Sequence, residues 1–99
     1  VAEDTDWLAI NDIHPQAPTH IVVISKKHMD GLEKATDSDT ELLGKMVLAA
    51  NKIATKLNLT KGFRLIINIG QDSERGMNHL HIHMLGGKKL GTKIVNDSK

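Results

Sequence analysis

His79-Leu80-His81-Ile82-His83-Met84 alternates strictly between imidazole and aliphatic side chains, and Leu85-Gly86-Gly87 follows it. On a strand, successive side chains point to opposite faces. The run therefore predicts a strand over His79–Leu85. Three imidazoles line one of its faces, and Leu80, Ile82 and Met84 line the other. At roughly 3.3 Å per residue, same-face neighbours two apart sit about 7 Å apart, close enough to share one phosphate-sized ligand. The chain has six histidines in 99 residues, three of them here. A polar face that merely happens to contain histidine explains this poorly.

Working outward, the neighbouring segments supply partners for such a strand. His20-Ile21-Val22-Val23-Ile24-Ser25 is rich in β-branched residues and reads as a strand. Trp7-Leu8-Ala9-Ile10, ended by Asn11-Asp12, reads as another, and Pro15 and Pro18 bracket the loop between them. Phe63 to Ile69 reads as a fourth strand, followed by a polar loop over Gly70–Gly76. Lys26 to Ala35 is polar, with room for a short helical turn. Ser38-Asp39-Thr40-Glu41 is a capping-box pattern ahead of an apolar stripe at helical spacing. That stripe is Leu42, Met46, Ala49, Ile53 and Leu57, widened by Leu43, Val47, Ala50 and Ala54, and it predicts a helix from about Asp39 to Leu57. Lys45, Lys52 and Lys56 occupy the polar side, and Asn58 to Gly62 forms the exit. The order β-β-α-β-β predicts an α+β domain: an antiparallel sheet with one long helix packed on it. One domain spans 1–99, with 88–99 expected as a flexible tail.

Composition narrows the function. Thirteen Lys+Arg against twelve Asp+Glu leaves a net charge near +1, which disfavours an electrostatically driven nucleic-acid binder. Only Trp7 and Phe63 are aromatic, so no platform exists for stacking successive bases. Cysteine is absent, which removes disulfides, thiolate chemistry and cysteine-based zinc sites. No run approaches the ~20 apolar residues of a membrane span, and Glu3, Asp4 and Asp6 oppose the positive start of a signal peptide. A cytoplasmic location without nucleic-acid or membrane partners is the expectation.

Two chemistries suit the histidine strand. As metal ligands, a His-x-His pair on one strand would need a third ligand. Asp72, Glu74, His14, His20 and Asp12 are available, but none stands at a spacing that marks a metal site. Alternatively, one neutral imidazole attacks phosphorus directly, and a neighbour protonates the leaving group. Asn68 and the Gly70–Gly76 loop then supply a side-chain amide and backbone N–H groups for the phosphate oxygens. The second reading accounts for more of the chain.

His79 to Leu85 matches the signature of the histidine triad (HIT) family. Leu8-Ala9-Ile10-Asn11-Asp12-Ile13-His14-Pro15-Gln16-Ala17-Pro18-Thr19-His20 resembles the first block of that family's nucleotide-binding branch. Lys61-Gly62-Phe63-Arg64-Leu65-Ile66-Ile67-Asn68 is similar to its strand before the active loop, and Gly86-Gly87 is typical of it. The resemblance covers roughly residues 1 to 90. It implies that His81 is the nucleophile on the α-phosphorus, giving a nucleotidyl-histidine intermediate. His83 contacts the phosphate and assists the leaving group. His79 orients His81, partly through its backbone, and His20 holds the tautomer from the next strand. Asp12 binds the ribose hydroxyls and Ile13 lines the nucleoside pocket. Asn68 and the amide of Met77, beside Gly76, hold the phosphate. Implied substrates are purine nucleoside phosphoramidates and aminoacyl-adenylates. Neither a metal nor a cofactor is implied, and the implied partner is a second copy of the chain, in a homodimer with one continuous sheet.

The chain also departs from the family pattern. Ser73-Glu74-Arg75-Gly76 stands where a Gly-Gly-Gln-rich loop is usual. Gly76 occupies a position where a polar side chain often helps protonate the leaving group, and Arg75 is the alternative phosphate ligand. Relatives begin with a helix and a hairpin strand that wall the base pocket. Val1 aligns with the strand after these, so the family's first elements are expected to be missing here. His14 and His28 read as exposed residues outside the site.

Overall fold

A computed structural model describes residues 1–73 and 76–95. Five strands form one antiparallel sheet: β1 (Ala2–Glu3), β2 (Trp7–Asn11), β3 (Thr19–Ser25), β4 (Phe63–Ile66) and β5 (His81–Gly86). Their spatial order is β1-β2-β3-β5-β4, which puts the histidine strand between β3 and β4. Among the described residues one α-helix, α1 (Thr40–Lys56), lies between β3 and β4 in sequence.

The register explains the two faces. Ile21 pairs with Met84 and Val23 with Ile82, so these four point to the same side. That side receives Met46, Ala50 and Ile53 of α1. Ile21, Val23, Leu80, Ile82 and Met84 are all at most 1% exposed, as expected for the aliphatic half of an alternating strand covered by a helix. Val22 pairs with His83 and Ile24 with His81, which turns both imidazoles to the face away from α1.

Helix α1 matches its expected span within a residue at each end, and its stripe is narrower than expected. Met46, Ala49, Ala50, Ile53 and Ala54 are buried, whereas Val47 is 43% and Leu57 44% exposed. The start differs too. The reciprocal cap lies two residues earlier, at Thr36 and Asp39 around a 3-10 turn (Asp37–Asp39). The Asp39 carboxylate accepts the Thr36 N–H at 3.0 Å and the Lys27 ammonium at 2.6 Å. Ser38 instead shares a hydroxyl hydrogen bond with Thr36 at 2.8 Å. The exit is a Schellman closure. Leu59 N–H reaches the Ala54 carbonyl and Asn58 N–H the Thr55 carbonyl, with Asn58 at φ 61° supplying the left-handed residue.

Three further differences concern strands. A two-residue strand, β1, adds to the four expected, pairing Ala2 with Ala9 and Glu3 with Leu8. The fourth expected strand stops at Ile66 rather than Ile69, so Asn68 lies past its end. The histidine strand begins at His81, not His79, because the Leu80 N–H turns away to the Met29 carbonyl at 2.7 Å. A short helical turn does form in the polar segment, over Leu32–Lys34. No helix among the described residues is long and apolar enough to cross a membrane. The tail expected over 88–99 falls partly, at 96–99, outside the described residues.

Candidate active site

The exposed-facing side of β3 and β5 gathers His20, His81 and His83, and Asp12 reaches them from the end of β2. The His81 and His83 ring centroids are 4.9 Å apart, and those of His20 and His83 are 5.1 Å apart. His81 is 4% and His20 6% exposed, while His83 is half-buried. The Asp12 Oδ2 lies 3.4 Å from His20 Nε2 and 3.9 Å from His83 Nδ1. Its other oxygen accepts the His14 N–H at 2.8 Å, in a turn that fixes the carboxylate.

Hydrogen-bond partners assign the proton on each ring. His81 Nδ1 is 2.6 Å from the His79 carbonyl, a pure acceptor, so Nδ1 carries the proton. The lone pair of neutral His81 is therefore on Nε2. His20 Nδ1 accepts the backbone N–H of Gln16 at 3.0 Å, so its proton sits on Nε2. That N–H donates to His83 Nδ1 at 2.9 Å. His83 in turn keeps its proton on Nε2. One main-chain amide thus orders two imidazoles in sequence. Burial holds the His83 pKa below the ordinary 6.5, helped by the neighbouring His81 and His20 rings and partly opposed by the Asp12 carboxylate.

Asp12, His20 and His83 also bring their donor atoms within 4.8 Å of one another, the spacing of a cation site. Their hydrogen bonding does not fit that role. A cation on His20 Nε2 would need the lone pair there, whereas the Gln16 N–H already uses the one lone pair of the neutral ring.

The HIT domain family matches residues 1–90. This chain belongs to the HIT family. An uncharacterized HIT-like protein of Synechococcus elongatus is 44% identical over 90 residues, which cover 91% of this chain and 79% of that relative. A HIT family hydrolase from Clostridium thermocellum has a TM-score of 0.91 and 40% identity, over 95% of this chain and 83% of that one. A histidine triad protein from Clostridium difficile has a TM-score of 0.91 and 41% identity, over 94% and 82% of the two chains.

Within this HIT domain, the expected site residues divide. His20, His81, His83 and Asp12 converge. His79 joins through its main chain only. Its ring does not share the face of the other two imidazoles but donates from Nε2 to the Ser25 carbonyl at 2.6 Å. Asn68 lies two residues beyond the end of β4, whose last residue, Ile66, pairs with His83. Gly76 and Met77 are exposed, and Ile13 is 85% exposed. No hydrogen bond among the described residues ties these four to the histidines. Arg75, the alternative phosphate ligand, and Glu74, a weighed metal ligand, lie outside the described residues. Sequence reading missed Gln16, because its contribution is a backbone N–H and side-chain pattern carries no signal of it. It also set His28 aside. His28 is exposed as expected, yet its ring meets His79.

Proposed function

We propose that this HIT protein is a nucleoside phosphoramidate hydrolase or nucleotidyl transferase working through His81. One observation carries the reading. The His79 carbonyl holds the Nδ1 proton of a buried imidazole, so the Nε2 lone pair is free beside His83. A preset tautomer is what direct attack on phosphorus requires. In the first step, His81 Nε2 bonds to the α-phosphorus and the P–N bond to the amine leaving group breaks. The His83 Nε2–H stands at the neighbouring ring as its proton donor. In the second step, water bonds to phosphorus and gives its proton to His83 Nε2, replacing the one that left with the amine, and the phosphorus–His81 bond breaks, releasing a nucleoside monophosphate. Asp12 serves the ribose hydroxyls and Ile13 the purine. Asn68, Gly76 and the Met77 amide serve the phosphate. A purine nucleotide of the AMP or GMP type is the ligand, in line with the resemblance of residues 8–20 to the nucleotide-binding branch.

Mixing the protein with an adenosine phosphoramidate should release AMP and leave a transient adenylate-sized increase in intact mass. His81→Ala should lose both, and full turnover by that variant would sink the mechanism. The exposure of Ile13 favours a second reading, a nucleotide-binding module with little turnover. Tight AMP binding by wild type without AMP release from the phosphoramidate would select it.

A homodimer is also proposed. Strand β4 borders the sheet with one backbone edge unpaired among the described residues, and a second copy pairing there would extend the sheet.

A further inference from the structure

The turn after β3 and the segment entering β5 are laced together by main-chain bonds. Ser25 N–H donates to the Leu80 carbonyl at 3.3 Å, and Leu80 N–H donates to the Met29 carbonyl at 2.7 Å. The His79 ring points back into that turn, with its Nε2–H on the Ser25 carbonyl at 2.6 Å. The Ser25 hydroxyl donates to the Lys27 carbonyl at 2.8 Å, bracing the turn from inside. Against the His79 ring stands His28. Their centroids are 5.5 Å apart and their planes 74° apart, an edge-to-face contact of the kind aromatic rings prefer. Asp30 Oδ1 approaches His28 Nε2 at 3.3 Å. The His28 side chain is 78% exposed. A ring that buries so little adds little to the core, yet it stands against a histidine that holds His81.

We propose that His28, steadied by Asp30, is a positioning residue for the nucleophilic imidazole, acting through His79. It rests on the function proposed above for the identity of the nucleophile. His28 touches neither His81 nor the reacting atoms. Its ring walls the outer side of His79 and keeps the His79 Nε2–H on the Ser25 carbonyl. With ring and main chain of His79 both anchored, its own carbonyl stays on His81 Nδ1 at 2.6 Å. That bond decides which nitrogen of His81 presents the lone pair. Without the wall, the His79 ring is released to solvent. Its carbonyl then shifts, and His81 samples the other tautomer.

The test compares wild type, His28→Ala, His28→Phe and Asp30→Asn, with two readouts. Steady-state kinetics on an adenosine phosphoramidate should show kcat lowered about tenfold in His28→Ala with KM little changed, as expected for a misplaced reacting group. His28→Phe restores an edge-to-face ring and should recover most of that loss, while Asp30→Asn should show a smaller loss in the same direction. The nitrogen-15 chemical shifts of the His81 ring should report a single Nδ1–H tautomer in wild type and a mixture in His28→Ala. Unchanged His81 shifts in His28→Ala overturn the proposal, whatever the kinetics. A loss of kcat that His28→Phe does not recover also overturns it. If wild type itself releases no AMP, the proposed activity fails, and the ring shifts still decide the positioning role.

Discussion

At the scale of single residues, hydrogen bonds assign the protons of the clustered imidazoles. His20 has two partners with opposite demands, a backbone donor at Nδ1 and an imidazole acceptor on Nε2. His20→Ala leaves His83 Nδ1 without its donor, so His83 is free to place its proton on either nitrogen. We expect kcat on an adenosine phosphoramidate to fall by about 10²-fold, the low end of what a positioned proton donor contributes, with KM nearly unchanged. His83 also carries a pH signature. Its folded-state pKa lies below the ordinary 6.5, so between the two values the unfolded chain binds a proton that the folded chain refuses. The stability that neutral His83 contributes is therefore complete above pH 6.5 and lost as pH falls below it. Differential scanning calorimetry should show Tm declining between pH 7 and pH 5, and declining less in His83→Gln. Chelator dialysis should leave turnover unchanged, because the Gln16 N–H uses the lone pair that a cation on His20 would need.

Elements hold these residues in register, and their failures are predictable from packing. Met46 is fully buried between α1 and the sheet. Met46→Ala should destabilise the fold by about 3 kcal/mol, read as a lowered urea midpoint at unchanged m-value. Gly87 follows the histidine strand at φ 90°, where a Cβ would meet Pro18 Cβ at 3.0 Å. Gly87→Ala should cost about 2 kcal/mol from backbone strain and that contact together. Since Pro18 stands two residues before His20, kcat should fall in the same variant. The elements also show where pattern reading stops. Periodicity sufficed for α1, because burying one stripe of a helix is a local demand. It misplaced the cap, since Asp39 is held by Thr36 and by Lys27 from another part of the chain. It started β5 two residues early, since alternation continues in the sequence after the Leu80 N–H has left the ladder for Met29.

For the molecule as a whole, the interior position of β5, between β3 and β4, matters most. Paired with β3 and β4, it turns Ile82 and Met84 into the core under α1 and holds His81 and His83 on the opposite face. The unpaired edge of β4 leads to a test of the proposed dimer. Light scattering should report twice the 10.9 kDa chain mass. Ile66→Lys, which puts a charge on that edge strand, should shift the mass toward one chain. The amino-acid sequence by itself determined the fold class, the helix, the nucleophile candidate and the two faces of the histidine strand. Those follow from side-chain period and residue type, which are local. Tertiary structure alone decided which nitrogen of each imidazole bears the proton, that the His79 ring turns to the Ser25 carbonyl, and that Gln16 and His28 lie near the histidines. Those depend on backbone groups and ring contacts between residues as far apart as His20 and His83, and side-chain patterning carries no record of where a distant N–H or carbonyl will point.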